Sequence, residues 1–182
     1  MMEREKIIFI DIETTSLFSS NGTIVCIGLF DPENFTEPSV YFVRNPSEEK
    51  NALGWMKSKI IEHGYNAICG WNIKKFDIPF IVGRALKLDI DFSELNNLIP
   101  IDLMEICKNI FRLHSYRQED VCKWLGISNT NNISGWMIDD IYHKALTGDK
   151  EAEEKIKLRC QHDLTNLYKI FQKIKPYLRL QF

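Results

Sequence analysis

The stretch Ile7-Ile8-Phe9-Ile10-Asp11-Ile12-Glu13 decides how the rest of the chain is read. Its β-branched and aromatic residues predict a strand over Ile7–Glu13. Side chains alternate along a strand, so Ile8, Ile10 and Ile12 share one face while Phe9, Asp11 and Glu13 share the other. Two carboxylates then stand on one face, about 7 Å apart along the strand. Like charges so close repel each other and are costly to desolvate. A divalent cation resolves that conflict, because hard oxygen ligands suit Mg²⁺ or Mn²⁺. A strand end emerging into solvent would carry the same pair at little cost, so the pair alone leaves both readings open.

Working outward, Ile24–Phe30 and Val40–Val43 read as two more strands, set off by Ser19-Ser20-Asn21-Gly22, Asp31-Pro32 and Glu37-Pro38. Three strands with short turns predict an antiparallel meander. The pattern then changes. Ser47, followed by Glu48 and Glu49, predicts a helix start with Ser47 as N-cap, the helix running to about Ile61 before His63-Gly64. Ala67–Trp71 and Ile99–Leu103 read as short strands. Helices are expected over Phe76–Leu88, Arg117–Leu125, Trp136–Leu146 and Glu151–Lys175, with Asn129–Asn132 as a loop. This order predicts an α/β fold, a mixed sheet flanked by helices.

The length of 182 residues suits one domain spanning 1–182. A net charge of −2 excludes a generally polycationic nucleic-acid coat, but not an enzyme that grips phosphate locally. No apolar run approaches the ~18 residues of a membrane span. The start, Met1 to Lys6, leads into too short an apolar run for a signal peptide. Cys26, Cys69, Cys107, Cys122 and Cys160 are scattered and form no CxxC pair. They read as small core residues in a reducing, cytoplasmic setting rather than as a disulfide framework or zinc site.

Two further acids sit where apolar residues are expected. The last helix carries the stripe Ile156, Cys160, Leu164, Leu167, Phe171 and Ile174, and Asp163 projects beside it. An ion pair to Arg159 at i,i+4 spacing is the ordinary explanation. In Gly70-Trp71-Asn72-Ile73-Lys74-Lys75-Phe76-Asp77-Ile78-Pro79-Phe80, a strand ends and Asp77 falls at a helix N-terminus. Capping is the ordinary reading there.

Taken together, these segments resemble a known family. Phe9 to Leu17 is similar to the first motif of the DEDD superfamily of 3′→5′ exonucleases. Gly70–Leu88 resembles the second motif in the form found in family B DNA polymerase proofreading domains, and Ile101-Asp102-Leu103 and Tyr116–Gly126 resemble its connecting segments. The third motif then lies at Asp163. The resemblance covers nearly the whole chain, with no polymerase domain attached, and extends to stand-alone ribonuclease H-like exonucleases. It implies a ribonuclease H-like fold, with a five-stranded mixed sheet between helices. It implies two divalent cations, Mg²⁺ or Mn²⁺, held by Asp11, Glu13, Asp77 and Asp163 for attack of water on a phosphodiester. It also implies contacts to single-stranded DNA or RNA 3′ ends from Thr14, Thr15, Leu17, Asn72, Lys74, Lys75 and Phe76, with Leu17 as a wedge against the terminal base.

One departure matters. The family places a Tyr four residues before the third-motif Asp, or a His five before it, to orient water. Here those positions hold Arg159 and Leu158. His162 could approach only from the side, while Tyr142 and His143 could substitute spatially. Arg159 stays protonated, so it cannot accept a proton from water as Tyr or His would; it can compete with a metal for Asp163 or bind the scissile phosphate, and competition is the favoured expectation. Of the basic residues, Lys74 and Lys75 are expected to meet phosphate. Arg84 and Lys87 add to the same local charge, and Lys169, Lys173, Lys175 and Arg179 read as a solvated face. Trp124 and Trp136 are expected in the core, His63 and His114 at the surface. The leading expectation is a metal-dependent 3′→5′ exonuclease. A catalytically weakened nucleic-acid-binding homologue and a structure-specific endonuclease are the alternatives.

Overall fold

The computed structural model describes residues 6–128 and 133–178, so the expected loop at Asn129–Asn132 and the charge of Arg179 lie outside the described residues. Strands β1 (Ile7–Thr14), β2 (Ile24–Phe30) and β3 (Ser39–Phe42) form the expected antiparallel meander. Helix α1 (Glu49–His63) leads to β4 (Ala67–Gly70), and α2 (Asp77–Lys87) leads to β5 (Ile99–Asp102). Both β4 and β5 add in parallel, giving the order β3-β2-β1-β4-β5. Helices α3 (Leu103–Ile110), α4 (Gln118–Trp124), α5 (Ile138–Leu146) and α6 (Lys150–Ile174) follow.

The alternation in β1 sorts the core into two layers. Ile8, Ile10 and Ile12 pack with Leu53 and Met56 of α1 and Phe80 and Ile81 of α2. Phe9 faces the opposite way, edge-on to Phe171 and Tyr168 of α6 at 5.4 and 5.5 Å. All five cysteines are buried and free, as the small-core reading expects.

Four local expectations need correction. Ser47 does not cap α1: Asn45 Oδ1 accepts from Ser47 N at 3.0 Å, starting a 3₁₀ turn over Pro46–Glu48 that runs into the helix. Leu103 does not extend β5 but opens α3, because the Asp102 carboxylate accepts from the N–H groups of Met104 and Glu105 and so starts a helix there. Arg84 adds no charge to a binding face. It is buried in a two-pronged ion pair with Glu49 (Nε–Oε1 2.8 Å, Nη2–Oε2 2.6 Å) and donates to Ser19 O at 3.1 Å. Glu49 Oε1 also accepts from Ile24 N, so this pair ties α1, α2 and the segment between β1 and β2 together. Finally, Trp124 and Trp136 are not core residues, being 56% and 79% exposed. Trp136 sits in a 3₁₀ turn ahead of α5, off its buried face, and Trp124 covers Phe111 at 4.8 Å from the outer side.

Candidate metal centre

The site arises where β1 outruns its parallel neighbour. The β1–β4 ladder ends at Phe9↔Cys69, whereas the β1–β2 ladder continues to Thr14↔Ile24 with a register shift after Glu13. Such an irregularity re-aims the side chains beside it. The crevice beyond the end of β4 is a cleft of about 1050 Å³ whose lining includes Asp11, Glu13, Asp77, Arg159 and Asp163.

Three of the four expected acids converge closely. Asp11, Glu13 and Asp163 each offer an oxygen within 4.8 Å of the others. Asp163 reaches the sheet because α6 passes close over β2, where Gly28 leaves room for Cys160 and Leu164. Asp77 lies outside that closest group but is buried at the first turn of α2, and the backbone N–H groups of Asp77 and Ile12 favour its charge. Asp102 fixes the turn leading there. Its carboxylate accepts from Asn72 N at 3.1 Å and Lys74 N at 3.3 Å, while Asn72 takes a left-handed φ of 61°.

Burial dominates the electrostatics. It pushes Asp77 up to about 7. It pushes Glu13 to about 7 as well, against the lowering effect of Arg159. Asp11 is raised well above the usual carboxylate range by burial, then by Glu13, Asp163 and Asp77. The Asp11 Oδ2 atom is buried without a hydrogen-bond partner. An orphaned carboxylate oxygen beside two more acids fits the oxygen donor set of a hard divalent cation.

Arg159 enters the cluster directly. Its Nε lies 2.7 Å from Glu13 Oε1, its Nη2 3.2 Å from Asp163 Oδ2, and its Nη1 donates to Ile133 O. Burial opposes its charge, but Glu13, Asp163 and Asp11 outweigh that effect and raise its pKa. The i,i+4 pair with Asp163 is the one its spacing predicts; the contact with Glu13 has no local sequence signal.

The remaining expected residues are distributed unevenly. Thr14, Thr15, Leu17, Asn72 and Phe76 line the cleft. Leu17 is 76% exposed, but the Thr14 hydroxyl donates to Ser16 O and Thr15 Oγ1 accepts from Thr23 N, so both threonines brace their own loop. Lys74, Lys75 and His162 are not part of the lining, and Lys74 pairs with Glu105 at 2.7 Å. Tyr142 is buried against Phe42, and His143 is exposed and pairs with Asp139 at 3.6 Å, so neither replaces the missing Tyr. The lining also includes Lys108, Tyr116, Arg117, Gln118 and Trp136. Of these, Tyr116 to Gln118 fall in a segment quoted for its resemblance, whereas Lys108 and Trp136 carried no functional signal.

A family profile described as the RNase H superfamily matches residues 8–175. No curated protein matches the chain. Among solved structures, the chain is similar to the family B DNA polymerase from the hyperthermophilic archaeon Pyrobaculum calidifontis, with 15% identity and a TM-score of 0.80 over 94% of this chain. The match spans 24% of the polymerase chain, and at that identity the likeness is one of fold. No helix among the described residues is long and apolar enough to cross a membrane. The sheet order agrees with the profile match across nearly the whole length, and the chain belongs to the RNase H superfamily.

Proposed function

We propose that the chain is a metal-dependent 3′→5′ exonuclease acting on single-stranded DNA or RNA ends. The observation that carries this reading is the convergence of Asp11, Glu13 and Asp163 within 4.8 Å on a cleft, with one Asp11 oxygen left unpartnered. Asp11, Glu13 and Asp163, with Asp77 beside them, would hold divalent cation. When bound, it supplies an activated water and offsets charge developing on the phosphodiester.

The chain's own residues do the rest. The acids, kept apart from solvent, remain poised to exchange protons for metal near neutral pH. Lys108 adds positive charge to the cleft wall for phosphates, whereas Arg117 is paired with Glu119 and Asp120. Leu17 and Trp136, both on the lining and exposed, offer apolar surface to unstacked bases.

A 5′-labelled oligonucleotide incubated with Mg²⁺ or Mn²⁺ tests the reading. Stepwise single-nucleotide shortening from the 3′ end is expected, and Asp11→Asn or Asp77→Asn abolishes it. Internal fragments would point to an endonuclease instead. A second reading, a binder with weakened catalysis, is favoured by the Arg159 contacts with Glu13 and Asp163. Uncleaved but retained oligonucleotide would support it.

A further inference from the structure

We propose that Arg159 is a built-in cation filling the Glu13–Asp163 side of the site, so that the chain takes up one divalent ion rather than two. This rests on the metal-dependent reading above and sets the composition of that same centre.

Three contacts hold the guanidinium: Glu13 Oε1, Asp163 Oδ2 and the Ile133 carbonyl. They come from β1, from α6 and from the segment leading into α5, so the side chain is fixed from three directions. The Glu13 and Arg159 side chains are 5% and 18% exposed, and solvent does little to weaken their attraction. The guanidinium occupies the space in front of Glu13 Oε1 and Asp163 Oδ2, and its charge repels a cation brought up to that side. Expelling Arg159 would also break the bond to Ile133 O and leave a buried cation to be solvated.

Charge balance shows what Arg159 changes. Without it, two dications would neutralise Asp11, Glu13, Asp77 and Asp163; with it, one dication leaves a formal charge of −1 and two leave +1, so the guanidinium takes over part of what a second ion would supply. Asp11 and Asp77 are the members with no ion pair to Arg159, and of these Asp11 Oδ2 is buried with no partner. The ion that binds therefore centres on Asp11. Arg159 lines the cleft and keeps N–H groups beyond the three already engaged. It would thus present a fixed positive charge to a phosphate bound in the cleft.

The experiment is a Mn²⁺ titration of the purified chain, with bound ion counted by electron paramagnetic resonance and calorimetry. One ion is expected for wild type and for Arg159→Lys, which keeps the charge, and two for Arg159→Gln and Arg159→Tyr. In thermal melts without metal both neutral variants should melt lower than wild type, and their Mn²⁺-induced rise in Tm should be larger. Two ions in wild type, or an unchanged count in both folded neutral variants, would overturn the role of Arg159 and leave the metal-dependent reading standing. No Mn²⁺ binding by any form would take down both.

Discussion

Gly28 stands directly opposite Asp11 in the β1–β2 ladder, and a Cβ added to it would lie 2.5 Å from both Cys160 Sγ and Leu164 Cδ1. Those two residues sit on α6 on either side of Asp163. The missing side chain on β2 is therefore what lets the helix bring its acid to the strand's acid. We predict that Gly28→Ala forces α6 outward, costing ~1–3 kcal/mol by overpacking. Mn²⁺ affinity should fall with it. Denaturant unfolding alongside a Mn²⁺ titration checks both, and wild-type values in each would show that α6 has room to spare.

Asp102 performs two tasks with one carboxylate, starting α3 and holding the N–H groups of Asn72 and Lys74. We predict that Asp102→Ala destabilises the protein by ~1–3 kcal/mol, the range for a lost cap plus buried donors left unmet. The turn that carries Asp77 should loosen as well. Faster amide exchange at 72–77 than at α1 would show this, and uniform exchange across both would argue against it.

The part of the site written into one short segment was readable from residue order. Alternation alone placed Asp11 and Glu13 opposite Ile10 and Ile12, and helical spacing alone paired Arg159 with Asp163. Contacts between distant segments were not readable. Glu49 and Arg84 are 35 positions apart, and nothing near either announces a buried pair, so Arg84 read as surface charge. The Glu13–Arg159 contact is of the same kind. Trp136 differs for another reason: it lies in a 3₁₀ turn, where the α-helical period that would place it in the core does not hold. Helix α3 was hidden because Asp102 closes a strand and opens a helix at once.

The buried acids set a pH dependence whose sign can be worked out. Glu13 titrates at about 7 instead of 4.5, and Asp77 at about 7 instead of 3.8. Between the unfolded and folded values the native chain holds protons that the unfolded chain has released, so stability falls as pH rises through that window. We predict that Tm in chelator declines from about pH 5 to about pH 7.5, and that saturating Mn²⁺ removes the decline by replacing protons. Exposed acids drawn down by partners, such as Asp120 and Glu105, act at lower pH and do not mask the effect. A metal-free Tm that climbs steadily across the same range would contradict the assignment.

Trp136 is 79% exposed on the cleft wall, so removing it should barely touch folding. We predict that Trp136→Ala weakens binding of a short single-stranded oligonucleotide by ~1–3 kcal/mol, the worth of one stacked base, with Tm unchanged. Fluorescence anisotropy without metal separates binding from cleavage. Equal affinities for wild type and variant would remove Trp136 from the substrate path.

The early end of the β1–β4 ladder has a consequence for how inactive variants are interpreted. Past Phe9, β1 keeps β2 on one side, while its other edge faces Asp77 and the start of α2. A bare strand edge is a template on which another chain can add, and inward-pointing charge is one of the ways proteins discourage that. Asp77, whose carboxylate meets the Ile12 N–H on that edge, with Asp11 and Glu13 charged on the adjoining face, is placed to discourage such pairing. Replacing them together with alanine leaves a neutral, apolar edge at the bottom of an open cleft. Light scattering on such a variant should show growth of aggregates that single Asp→Asn changes do not cause, so loss of cleavage there reports on assembly as much as on chemistry.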